Sequence, residues 1–210
     1  MTVLTEPALD TAVTDIAVTG AAATGDTARR AMIDSQLRPS GVNDPAVLAA
    51  FNRVRREDFV PASARGVAYM DRAVPLGGGK LLAPPLSHGQ MLMEAAPTSA
   101  DRVLLVENGS GYLAALLASL VESVETILPG GLPTGEGYTL LLIDGAIERL
   151  PQTLSDALAA DARVVTGLIE RGVPRLATGR KAAGDVGFLT LGEADFAPLA
   201  EYAQPSKWSF

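Results

Sequence analysis

Residues 102–120, "RVLLVENGSGYLAALLASL", join a continuous apolar run to a short glycine turn and then to an amphipathic helical pattern. A strand, a tight turn and a helix in that order aim backbone N–H groups at whatever lies beyond the strand, an arrangement that commonly holds nucleotides. Glu107, Asn108, Gly109, Ser110, Gly111 and Tyr112 are therefore the candidate ligand-binding residues. Asp144, at the end of "YTLLLID", joins them because ligands of doubly wound sheets sit outside the carboxyl ends of the strands. Glu107 stands where such a turn would open with its first glycine.

The remaining chemistry-bearing residues narrow the choice. The Gly77-Gly78-Gly79-Lys80 run has the composition of a phosphate loop but not the Gly-x-x-x-x-Gly-Lys-Ser/Thr spacing, so a tight hairpin or turn is expected there. His88 is the sole histidine; with no cysteine and no obvious carboxylate near it in the chain, it reads as a surface or partly buried residue. Zero cysteines exclude disulfides, Cys-ligated metals and thiol nucleophiles, and one histidine excludes a multi-histidine metal site; no metal is expected. The net charge of −7 argues against nucleic acid as a partner. No apolar run approaches the roughly 18 residues of a membrane span, and no basic-then-apolar leader opens the chain, so a cytoplasmic protein with no membrane contact is expected.

Residues 1–27 carry Glu6, Asp10, Asp15 and Asp26 but no Lys or Arg, and read as an acidic, flexible tail before a domain spanning 28–210. Residues 28–100 form an N-terminal helical layer. "TARRAMIDSQL" is helical and should stop at Arg38-Pro39; Asp44 caps a helix with Pro45 in its first position; and Ser87 with Gln90 forms a capping box. From residue 102 strand and helix patterns alternate, with strands at 102–107, 123–128, 138–144 and 162–169, and a helix from Leu150-Pro151 through "LPQTLSDALAA". A hairpin around Ala183-Gly184-Asp185 and a closing edge segment, "EYAQPSKWSF", end the chain. The fold class is α/β: a doubly wound, mostly parallel sheet with a C-terminal antiparallel hairpin, in which 102–107 and 138–144 are the innermost parallel neighbours.

From about Thr27 to Phe210 the chain resembles the protein-L-isoaspartate O-methyltransferase family. The resemblance rests on "MIDSQLRPSGVNDPAVLAAFNRVRREDFVP", "AYMDRAVPLGGGKLLAPP", "NGSGY" and "YTLLLIDGAIERLP", whose order and spacing agree with the family up to residue 128. It implies the S-adenosylmethionine-dependent methyltransferase fold, S-adenosylmethionine as cofactor, and methylation of isoaspartyl carboxylates in damaged proteins or peptides.

Several positions depart from that pattern. Leu105 stands where the family carries the acid that binds the cofactor's amino-acid end, Glu107 replaces the first glycine, and Ala83 occupies the position of a serine near the reacting carboxylate, leaving no catalytic residue to assign. Between "VETIL" and Tyr138 only "PGGLPTGEG" remains, too short for the usual crossover, so about one helix-strand unit is missing. Each lost charge-assisted hydrogen bond costs about 1.5–3 kcal/mol, so activity is expected to be weakened or lost, with a catalytically inactive binding or assembly protein as the alternative. In that case Glu107 should point into the space the cofactor's methionine would take or pair with an Arg or Lys. "SVETIL" should become an exposed edge that pairs in a homodimer.

Overall fold

The computed structural model describes residues 25–107 and 109–204. The helix α1 occupies 25–32, so three residues assigned to the tail are already helical, while residues 1–24 lie outside the described residues. It runs on as a wide turn, Ile33–Leu37, and a tight one, Arg38–Ser40, and Arg38 keeps helical angles (φ −58°, ψ −47°) despite the following proline. The expected stop is therefore displaced to Gly41 (φ 90°), because the Val42 N–H bonds to Leu37 O at 3.1 Å and both side chains are fully buried. The helix α2, Pro45–Arg53, starts as expected: Asp44 Oδ1 accepts from Ala46 N and Val47 N, both at 2.9 Å.

The glycine run forms a small hairpin, β1 (Val74–Gly77) with β2 (Lys80–Leu82). The helix α3, Pro85–Ala95, is not capped by Ser87. Proline at its first position brings a preset φ and no N–H to satisfy, and the Ser87 hydroxyl instead donates to Asp195 O at 3.4 Å.

Six strands form the main sheet: β3 (Arg102–Val106), β4 (Ser123–Ile127), β5 (Tyr138–Ile147), β6 (Leu158–Glu170), β7 (Val173–Ala182) and β8 (Asp185–Glu193). Their order is β4-β3-β5-β6-β7-β8. The first four are parallel and the last two complete an antiparallel meander. Thus "RVLLV" and "YTLLLI" are neighbouring parallel strands, and β4 is an edge, as the apolar runs imply. The β7–β8 turn, Ala183-Gly184, has positive φ at both residues (52° and 94°), the two-residue geometry that follows the strand twist.

Each face of the sheet has its own core. Val103, Leu105, Leu140 and Leu142 pack under α2, α3 and α4 (Tyr112–Leu117), whereas Leu104, Val106, Leu141 and Ile143 pack against Leu154, Leu199 and Tyr202. The second face differs from expectation in three places. The helix α5 spans only Gln152–Asp156, because "LAADA" already belongs to β6. The described part of the closing segment, 201–204, makes no edge strand: Tyr202 ends a tight helical turn, Ala200–Tyr202, and is buried on this face, and residues 205–210 lie outside the described residues. Residues 128–137 do make the crossover from β4 past β3 to β5 without a helix. Ten extended residues reach up to about 33 Å, twice the roughly 17 Å of a five-residue strand. Glu125 anchors the return by accepting from Thr134 N at 2.6 Å and from the Tyr138 hydroxyl, and Gly137 N bonds to Ala157 O at 2.7 Å.

Candidate functional site

The glycine turn forms where β3 runs out. Glu107 extends the strand by one bond, its N–H reaching Ile127 O at 3.0 Å, and the chain then doubles back through Gly109 (φ 86°) and Gly111 (φ 76°) into α4. Glu107 is 1% exposed. Its Oε1 accepts from Ser110 Oγ at 2.7 Å and from Leu113 N at 3.2 Å, while Ser110 Oγ accepts from Tyr112 N at 3.1 Å. Among the described residues Glu107 is at salt-bridge distance from no Arg or Lys; its carboxylate turns back onto Ser110 and the first turn of α4. Above the turn, a Cβ at Gly109 would lie 3.0 Å from Lys80 Nζ, and one at Gly111 would lie 3.7 Å from the Phe59 ring. Asn108 lies outside the described residues.

Burial pushes the Glu107 carboxyl above the ordinary glutamate range; the Ser110 bond opposes this and the Asp144 charge adds to it. Leu105, two residues earlier and on the same strand face, is fully buried under the helical layer.

Asp144 is delivered by a bulge. Register between β5 and β6 runs from Ile143 opposite Thr166 to Ala146 opposite Gly167, leaving Asp144 and Gly145 as extra residues on β5. Bulges re-aim side chains, and here Asp144 Oδ1 meets His88 Nε2 at 2.9 Å with the two side chains 3% and 0% exposed. Gly145 permits it, since a Cβ there would lie 2.6 Å from Leu199 Cγ. The expectation that His88 has no carboxylate is corrected: its partner is 56 positions away in the chain and comes from a different element.

Tyr112, fully buried, links these groups. Its ring lies 5.6 Å from that of His88 and 5.4 Å from that of Phe59, and the Arg56 guanidinium carbon sits 4.8 Å from its centroid. Arg56, also fully buried, lies in "REDFVPASARGVAYMD", a stretch that reads as two short helices around a break at Pro61 and does not single it out. It donates from Nε to Ala68 O at 2.7 Å and from Nη2 to Ala83 O at 2.5 Å. Ala83, at the family's serine position, therefore contributes a backbone carbonyl to an internal bond.

The structure brings Glu107, Ser110, Gly111, Tyr112 and Asp144 to the carboxyl ends of β3 and β5, where a doubly wound sheet presents its ligands. It places Leu105 and Ala83 in the core. Glu107, Ser110 and Asp144 bond to partners within the cluster, whereas His88 Nδ1, the Tyr112 hydroxyl and Arg56 Nη1 are buried without a hydrogen-bond partner among the described residues; Glu107, Asp144, His88 and Tyr112 are all at most 6% exposed. Among the described residues no group of three His, Asp or Glu side chains is arranged to hold a metal ion.

The protein-L-isoaspartate(D-aspartate) O-methyltransferase (PCMT) family matches residues 27–129. A protein-L-isoaspartate O-methyltransferase of Methanoculleus marisnigri is 32% identical over 199 residues, covering 81% of this chain and 90% of the relative. One from Gloeobacter violaceus is 34% identical over 162 residues, covering 64% and 79%. In fold, the chain is similar to a Plasmodium falciparum protein-L-isoaspartate O-methyltransferase solved in complex with S-adenosyl-L-homocysteine, with a TM-score of 0.67 at 16% identity over 84% of this chain and 98% of that one.

Proposed function

The chain belongs to the protein-L-isoaspartate O-methyltransferase family, and from that premise we propose that it has lost S-adenosylmethionine-dependent methyl transfer and keeps the fold as a binding or assembly protein. The observation that carries this reading is the pair of positions 105 and 107. Leu105 is aliphatic and fully buried, and Glu107 puts a carboxylate at the start of α4 where the family has a glycine. S-adenosylmethionine does not fit these residues: the acid that would meet its amino-acid end is missing, and close backbone approach at the turn is prevented by a side chain. The absence of a hydroxyl at Ala83 points the same way for the substrate side. Isoaspartyl-containing peptides, as the family's substrate class, are the ligands to try.

A radiolabel transfer assay with an isoaspartyl peptide, run beside an active relative, tests the proposal. The expected outcome is no transfer above the rate without protein; turnover by the folded chain would overturn it.

A second reading, assembly as a homodimer through β4, is favoured by one observation. β4 is the free edge of the sheet, and Leu128 and Leu132 beside it are 56% and 67% exposed. Light scattering checks it: a dimer is expected, and a monomer over the whole concentration range would remove it. Among the described residues no helix is long and apolar enough to cross a membrane, in keeping with a cytoplasmic location as part of the proposal.

A further inference from the structure

The second face of the sheet is thinly covered towards β8. The helix α5 is only five residues long, and beside it Leu150, Leu168, Val186 and Phe188 are half-buried at the margin of the core. These four side chains line a groove of about 380 Å³ whose walls also carry Glu148, Arg149 and Asp185.

The chain that follows β8 leads to this groove. Ala146 N donates to Ala197 O at 2.8 Å, Leu199 N to Ala146 O at 2.8 Å and Glu148 N to Tyr202 O at 3.2 Å, so the closing segment advances in the same direction as the end of β5. Arg149 N also donates to Tyr202 O, at 3.3 Å, and Gln204 N donates to Glu148 Oε2 at 2.6 Å. The last described stretch is thus fastened to a residue of the groove wall, with Arg149 and Leu150 next along its path. Pro205 disfavours a helical turn at Gln204, and six further residues reach up to about 20 Å when extended.

Those residues, 205–210, lie outside the described residues, and their sequence, "PSKWSF", suits the groove in chemistry. Trp208 and Phe210 are large apolar side chains that gain much by leaving water, and Leu150, Leu168, Val186 and Phe188 offer apolar walls. Lys207 is the one charged residue of the six, and it meets the acids Glu148 and Asp185 in sign. Arg149 adds a cation, which favours the face of an indole ring.

We infer that this groove is the docking site of the chain's own 205–210 segment, with Trp208 seated against Leu168, Val186 and Phe188, so that the segment clasps the β7–β8 hairpin and α5 to the end of β5. The inference does not depend on whether S-adenosylmethionine binds, and its failure leaves the proposed function standing.

Trp208 is the only tryptophan in the sequence, so its fluorescence in the full chain reads the site directly. At every protein concentration its emission is expected to be blue-shifted from that of the free peptide Pro-Ser-Lys-Trp-Ser-Phe and to be quenched less by acrylamide. Phe188→Ser and Val186→Ser, each checked for folding by circular dichroism, should move the emission back towards the peptide's value. Trp208→Ser should lower the melting temperature by about 2 °C or more. Emission from folded wild type that coincides with the peptide's overturns the inference. A blue shift that both groove variants leave unchanged also overturns it, because Trp208 is then seated elsewhere. So does a blue shift that grows with protein concentration, because the segment then docks on a second copy. Should one groove variant not fold, the other decides.

Discussion

Two buried carboxylates sit at opposite ends of β3 and are treated in opposite ways. At the amino end, Asp101 accepts from Arg163 Nη2 at 2.6 Å, Thr98 N at 2.7 Å, Thr98 Oγ1 at 2.9 Å and Thr139 Oγ1 at 2.8 Å. Burial works to raise its pKa, but these bonds outweigh burial and hold the carboxyl below the usual aspartate range. At the carboxyl end, Glu107 has two donors, no cation at salt-bridge distance among the described residues and a second carboxylate nearby, and burial prevails. The first end is built for stability. The second is matched less well, with one hydroxyl and one backbone N–H for its carboxylate.

The largest expected effect breaks the carboxyl end. His88→Leu leaves Asp144 buried without its partner and should cost about 3–5 kcal/mol in urea unfolding. Adding Asp144→Asn should recover part of that loss, because no buried charge is then left unpaired. A loss in the double variant equal to the sum of the losses of His88→Leu and Asp144→Asn alone would show that the pair is not coupled.

Asp101→Asn should cost about 2–3 kcal/mol at neutral pH, since it removes a charge-assisted bond to Arg163. A native pKa below the unfolded one stabilises above the unfolded value, and that stabilisation is lost as pH falls through the native value. The gap between wild type and Asp101→Asn should therefore close on acidification below the ordinary aspartate pKa, and a gap independent of pH would contradict the assignment.

Glu107→Gln is the smallest change and runs the other way. A native glutamate pKa above the unfolded one gives stability that is present below the unfolded value and lost as pH rises through the native value. The glutamine variant should thus gain on wild type as pH rises above the ordinary glutamate range. A variant that falls behind wild type with rising pH would make Glu107 a stabilising anion like Asp101.

These contrasts also mark what could be read without coordinates. The parallel pairing of β3 with β5, the Asp44-Pro45 helix start and the Ala183-Gly184 hairpin follow from local patterns of apolar runs, capping and turn residues. The family resemblance located the turn and its substituted positions. The His88–Asp144 pair was hidden because it depends on a bulge and on two elements meeting in space. The helix-free crossover was not legible because typical connection lengths assume a helix, whereas Glu125 with Tyr138 and Thr134 ties this short connector to β4 and β5. The Ser87 cap failed because Pro85 competes for the same helix start and prevails.

The central claim, that the glycine turn no longer takes the family's cofactor, is tested most directly by calorimetric titration of S-adenosylmethionine into the wild-type protein at neutral pH. No saturable heat is predicted up to millimolar ligand, a limit of about −4 kcal/mol in binding free energy. A one-to-one isotherm with a micromolar Kd, about −8 kcal/mol, would contradict it.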